Sequence, residues 1–152
     1  MTCHRFRTIL AALVLLVGTL GQRSSAQCVS NSNIYRFTYA NVRYEIVKEA
    51  KTWADAAACA VQRGGYLAQI DSAAEQAAIY SAIQAAGVSP NYNPIEFGGG
   101  ASYVWIGGTD RVSEGSWVWD GNDDGLGTPF WQGSANGTAV AGRYNNWGRN
   151  AQ

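Results

Sequence analysis

The densest group of metal-capable oxygens in this chain is the run Asp120-Gly121-Asn122-Asp123-Asp124-Gly125. The side chains of Asp120, Asn122 and Asp124 fall on the alternate positions of a D-x-N-x-D-G half-loop, and Gly125 permits its sharp turn. Calcium wants roughly six to eight oxygen ligands converging on one point. The bidentate Glu that would close such a loop is not there, because Trp131 holds its place. No helix is expected on either side. The run therefore reads first as a solvated, Asx-rich turn, with a weak calcium loop as the alternative. Trp131 and Trp147 lie in the same loop-rich stretch. Packing is the ordinary role of such rings, and stacking on a sugar ring is the functional one; Trp131 is the ligand candidate.

Other chemistries are poorly supplied. The single histidine is His4, near the N-terminus. The rest of the chain has no imidazole for a Ser–His or Cys–His pair or for an ordinary zinc site. Gly98-Gly99-Gly100 lacks the strand-to-helix setting of a phosphate loop. No catalytic residue stands out, and an enzyme is not expected. Asn136-Gly137-Thr138 is a formal glycosylation sequon.

Residues 1–26 read as a secretory signal peptide. His4, Arg5 and Arg7 precede an apolar run from Ile9 to Leu20, and Ser24-Ser25-Ala26 offers a small-residue cleavage site. An uncleaved anchor is the alternative, but the run falls short of the roughly 20 residues that span a bilayer. Cleavage after Ala26 removes Arg5, Arg7 and Arg23, so 11 basic residues become 8 against 11 acids, a balance of −3. A mildly acidic exported domain has no electrostatic case for nucleic acid, and no membrane insertion is expected after cleavage. Cys3 leaves with the leader; Cys28 and Cys59 stay. One bridge between them, free thiols, or a partner elsewhere all remain open.

The elements that would hold up the loops can be read in order. Residues 27–41 read as a polar N-terminal arm, and 43–49 as a strand. Thr52 caps a helix with Asp55 three residues on, and Gly64-Gly65 end it. Ser72 and Glu75 cap a second helix reaching about Ile83 or Ala85. Residues 87–100 form a loop, 103–107 and 116–119 read as strands, and the chain is irregular beyond Asp120. Trp53, Trp105, Trp117 and Trp119 are expected in the core. The layout is α+β.

Five blocks in this order resemble the C-type lectin-like superfamily: Y-E-I-V, T-W-x-x-A with G-G-Y-L-A-Q-I, W-I-G-G-T-D, E-G-S-W-V-W and N-N-W-G, spread over Tyr44 to Trp147. The later stretches F-W-Q-G, G-T-A-V-x-G and Y-N-N-W-G are similar to bacterial members. The resemblance implies two helices packed on small antiparallel sheets below a long loop region, with the lectin-like domain over 42–152. It implies that Asp110 and Glu114 line an auxiliary calcium site; capping a turn and bonding the loop backbone are their structural alternatives. It implies that Trp147 props up the long loop. It also places Gln152 at the first letter of a Q-P-D-like sugar-binding motif, so the chain reads as ending inside that motif, without the W-N-D block or the closing strands. The family cysteine of the first helix falls on Ala60 rather than Cys59, so the family disulfide does not transfer.

The function this implies is an exported carbohydrate-binding module, calcium-assisted in a complete domain. A protein-interaction module of the same fold, independent of calcium, is the alternative. A fragment without function is the third reading.

Overall fold

The computed structural model describes residues 27–88 and 103–146. The region expected to be an arm carries the first strand. Strand β1 (Ile34–Tyr39) pairs antiparallel with β2 (Val42–Val47). The reason is the two-residue connection Ala40-Asn41, both with positive φ (47° and 65°), which matches the twist of a tight hairpin. Its register sets Tyr35 opposite Ile46 and Phe37 opposite Tyr44, so their side chains share the core face. Phe37 and Tyr44 stack with centroids 4.9 Å apart.

Helix α1 (Trp53–Gln62) starts as expected: the Thr52 hydroxyl accepts from Asp55 N at 3.1 Å and donates to its carboxylate at 2.7 Å. It stops at Gly64, which takes φ 81° while Gly65 N reaches back to Ala60 O at 2.9 Å. Helix α2 (Ala73–Ala85) is capped by Ser72, whose hydroxyl accepts from Glu75 N. Glu75 also accepts from Asp71 N at 2.8 Å and from the Tyr44 hydroxyl at 2.6 Å, which ties the cap to β2. Burial, and then the bond to Glu75, push the Tyr44 hydroxyl pKa well up. The small residues Ala82 and Ala86 let α2 lie against Ile46.

Cys28 and Cys59 form a disulfide with their Cα atoms 5.5 Å apart. It pins the chain before β1 to α1, and Val29 beside it is 2% exposed.

The second sheet has the order β3-β4-β5-β6, all antiparallel: β3 (Gly108–Thr109), β4 (Ser116–Trp119), β5 (Thr128–Gln132) and β6 (Thr138–Ala139). The strand expected over 103–107 is displaced to these two residues, and 103–106 joins no ladder among the described residues. Strand β5 lies in the stretch expected to be irregular beyond Asp120. Pro129 sits opposite Val118, where the β4–β5 register slips, so its missing N–H is tolerated. Trp119 stacks on Phe130 with centroids 4.2 Å apart, and with Ile70 and Ile79 they form the main core. Residues 67–68 thread between Gly107 and Gly121: Leu67 N donates to Gly121 O at 3.0 Å, and Gly107 N to Ala68 O at 2.9 Å. A Cβ at either glycine would collide with the Leu67 carbonyl. The overall architecture is the expected one, two helices with small antiparallel sheets in an α+β fold.

The tryptophans divide. Trp119 is buried, Trp117 packs on the core edge, and Trp53 is half-buried with its indole N–H donating to Ile106 O at 2.8 Å. Trp105 departs from the expectation. It is 52% exposed, because 103–106 runs along the rim of a cleft instead of inside a sheet; its N–H is satisfied by Lys51 O at 2.8 Å.

Candidate functional site

The acidic turn after β4 is built from within. Asp120 is 3% exposed, and its two oxygens accept from Asp124 N at 3.1 Å and Gly125 N at 3.0 Å. Its own N–H donates to Gly107 O at 2.8 Å. Asp124 accepts from Leu126 N at 2.8 Å and from the Asn122 amide at 2.6 Å; these bonds hold its carboxyl below the usual carboxylate range. Asp123 stands at φ 57° and points its carboxylate to Arg111, with Nη1 2.8 and 2.7 Å from the two oxygens.

This is the geometry of an Asx-rich turn, in which carboxylates satisfy backbone N–H groups that no ladder reaches. It does not fit calcium. Asn122 presents its N–H₂ to Asp124 rather than an oxygen to a shared centre, and both Asp120 oxygens are directed at backbone donors. Among the described residues no group of three or more His, Cys, Asp or Glu side chains could hold a metal ion.

Asp110 lies in the turn between β3 and β4. Its carboxylate accepts from Gly115 N at 3.1 Å and its carbonyl from Ser113 N at 3.1 Å, so it caps this turn. Glu114 is exposed in the same turn. Trp131, on β5, is half-buried against the core with its N–H donating to Ser134 O at 2.9 Å, so one face of the ring is spent on packing. Gln152 and Trp147 lie outside the described residues.

A second feature carries no sequence motif. A cleft of about 1210 Å³ runs between β2, the 48–51 connection, α1, residues 64–69, α2 and the 103–106 segment, and reaches the core side chains Phe37, Ile46, Ile79 and Ile83. Tyr66, Tyr103 and Trp105 line it and stand 68%, 64% and 52% exposed. Its polar lining includes Glu49, Lys51 and Arg63, whose side chains are mostly buried. Glu49 accepts from the Asn33 amide at 3.0 Å and from Ser30 N at 3.2 Å, which holds its carboxyl below the ordinary range. Arg63 pairs with Glu45 at 2.7 Å, and Glu45 also holds Arg36 at 2.9 Å. Apolar rings beside ordered polar groups suit a ligand that is itself amphipathic and planar-faced.

The cleft carries no sequence motif because its lining comes from separate segments, residue 66 and residues 103–105 among them. The available signal was Tyr66 itself, an aromatic directly after the Gly64-Gly65 helix stop.

The family model for the lectin C-type domain matches residues 49–152. No curated protein matches the chain, and no solved structure does.

Proposed function

This chain belongs to the lectin C-type domain family, and we propose that it is an exported binding module that takes a carbohydrate in the aromatic-lined cleft. Domains of this family are generally binding modules rather than enzymes. The single observation that carries the proposal is the exposure of Tyr66, Tyr103 and Trp105 on one cleft. The C–H face of a pyranose packs against such rings, while its hydroxyls meet the Lys51, Glu49 and Arg63 groups of the lining. No bond is made or broken. Members of the family often bind calcium. The carboxylates of the 120–125 turn are satisfied from within, so no step of this recognition is routed through calcium there.

Export is supported by the charged, apolar and small-residue regions of 1–26, and by a disulfide of the kind that persists in oxidising compartments.

The test is a glycan array read with the secreted protein and its Trp105→Ala and Tyr66→Ala variants. Binding lost in both variants, with their far-ultraviolet circular dichroism unchanged, supports the cleft. Full binding in both refutes it.

One observation favours a second reading, an interaction module for an extended peptide. Closure of the hairpin at Tyr39–Val42 makes 37/44 and 35/46 the hydrogen-bonded pairs, and the series continues at Lys48 N to Asn33 O, 2.8 Å. Arg43, Glu45 and Val47 therefore turn their N–H and C=O groups away from β1, and all three line the cleft. An added strand would use that edge. A set of alternating apolar–polar peptides separates the readings: peptide binding with a silent glycan array selects the interaction module.

A further inference from the structure

The acidic turn poses an electrostatic problem. Asp120, Asp123 and Asp124 place three carboxylates within five residues, and Asp123 also adopts a left-handed backbone that a non-glycine residue seldom takes. A bound cation is the usual remedy for such a cluster. Here the cation is covalently part of the chain. Arg111, from the turn between β3 and β4, sets Nη1 at 2.8 and 2.7 Å from the two oxygens of Asp123. Its guanidinium carbon lies 5.6 Å from the centroid of the Trp53 ring. One side chain thus joins three separate pieces: the β3–β4 turn, the acidic turn, and the first residue of α1.

We propose that Arg111 is a built-in cation that orders the acidic turn in place of a metal ion, so that this part of the loop region keeps its shape whether or not calcium is present. The division of labour among the carboxylates supports this. Asp120 and Asp124 are occupied by backbone N–H groups, which leaves Asp123 to face outward, and that carboxylate is the one Arg111 engages. The guanidinium suits the role for two reasons. It stays charged at any physiological pH, and its flat face can lie over an indole while its edge donates to a carboxylate. Trp53 is in turn fixed by its own N–H bond to Ile106 O, so Arg111 rests on an anchored ring. The inference is independent of what the cleft binds.

Amide hydrogen exchange on the full chain tests it, read by mass spectrometry on peptides covering 119–127, in calcium and in chelator. Wild type is expected to exchange identically in both. Arg111→Gln should speed exchange in those peptides about threefold, the size expected for a partly exposed ion pair resting on an aromatic ring. Arg111→Lys, which keeps the charge but not the planar fork, should fall between the two. Peptides covering α2 report whether each variant remains folded and should not change. Asp123→Asn should reproduce the effect of Arg111→Gln. Calcium-dependent protection of wild type would overturn the proposal, since a metal and not the guanidinium would then hold the turn. Unchanged exchange in Arg111→Gln would overturn it equally.

Discussion

The two halves of this molecule are held together by different means. In residues 27–88 the backbone is satisfied by a hairpin and two capped helices, and the join between them is covalent, Cys28 to Cys59. In residues 103–146 the ladders are short, and carboxylates of Asp110, Asp120 and Asp124 satisfy the backbone of the connecting turns. The first half rests mainly on ladder and helix hydrogen bonds and a disulfide. The second is a set of loops whose order depends on those carboxylates.

The largest expected effect is in the first half. The disulfide closes a separation of 31 residues, and its loss in Cys28→Ser/Cys59→Ser should cost about 3–4 kcal/mol, measured by urea denaturation. Exchange should rise over 27–62 and stay unchanged in the acidic turn; equal loosening of both regions would break the comparison. In the second half, Asp120→Ala removes a buried acceptor and strands the N–H groups of Asp124 and Gly125. It should cost about 3 kcal/mol, and a loss near zero would mean that water replaces the carboxylate freely. A helix cap is a smaller matter: Ser72→Ala should cost about 1 kcal/mol, checked by thermal melting.

The smallest effect concerns pH. The hydrogen bond from Arg63, reinforced by Arg36, holds the Glu45 carboxyl below its ordinary value. A depressed folded pKa contributes stability that is present above the unfolded pKa and lost as pH falls through the folded one. Acidification below the ordinary carboxylate range should therefore weaken the join of β2 to α1. The change should be under about 1 kcal/mol, since the pair is partly exposed and screened. Glu45→Gln should remove this component from the acid limb of a stability–pH curve.

Much of the scaffold was legible in the sequence. Thr52 with Asp55, and Ser72 with Glu75, announce helix starts, because those side chains must serve backbone N–H groups that the helix leaves over. Trp119 in S-W-V-W is in the core as its β-strand pattern implies. The Asx-rich reading of 120–125 agrees with the bonds seen there. What stayed hidden depends on long-range pairing. Ile34–Tyr39 alternates as a strand does, but its Asn/Ser-rich flanks made it read as an arm, and only the Ala40-Asn41 turn joins it to β2. Trp105 looks like core because Y-V-W-I-G reads as a strand; it is exposed because 103–106 joins no ladder and its indole N–H reaches Lys51 O instead. Arg111 carries no motif, and its partners are 12 residues ahead in sequence at Asp123 and far behind at Trp53.

The central claim is that sugar recognition runs through the rings of the cleft. Isothermal titration calorimetry answers it most directly, with the strongest array glycan titrated into wild type and Trp105→Ala, each in chelator. Saturable heat for wild type and none for the variant is the predicted result. Equal heats for the two proteins, or no heat for wild type until calcium is added, would contradict it.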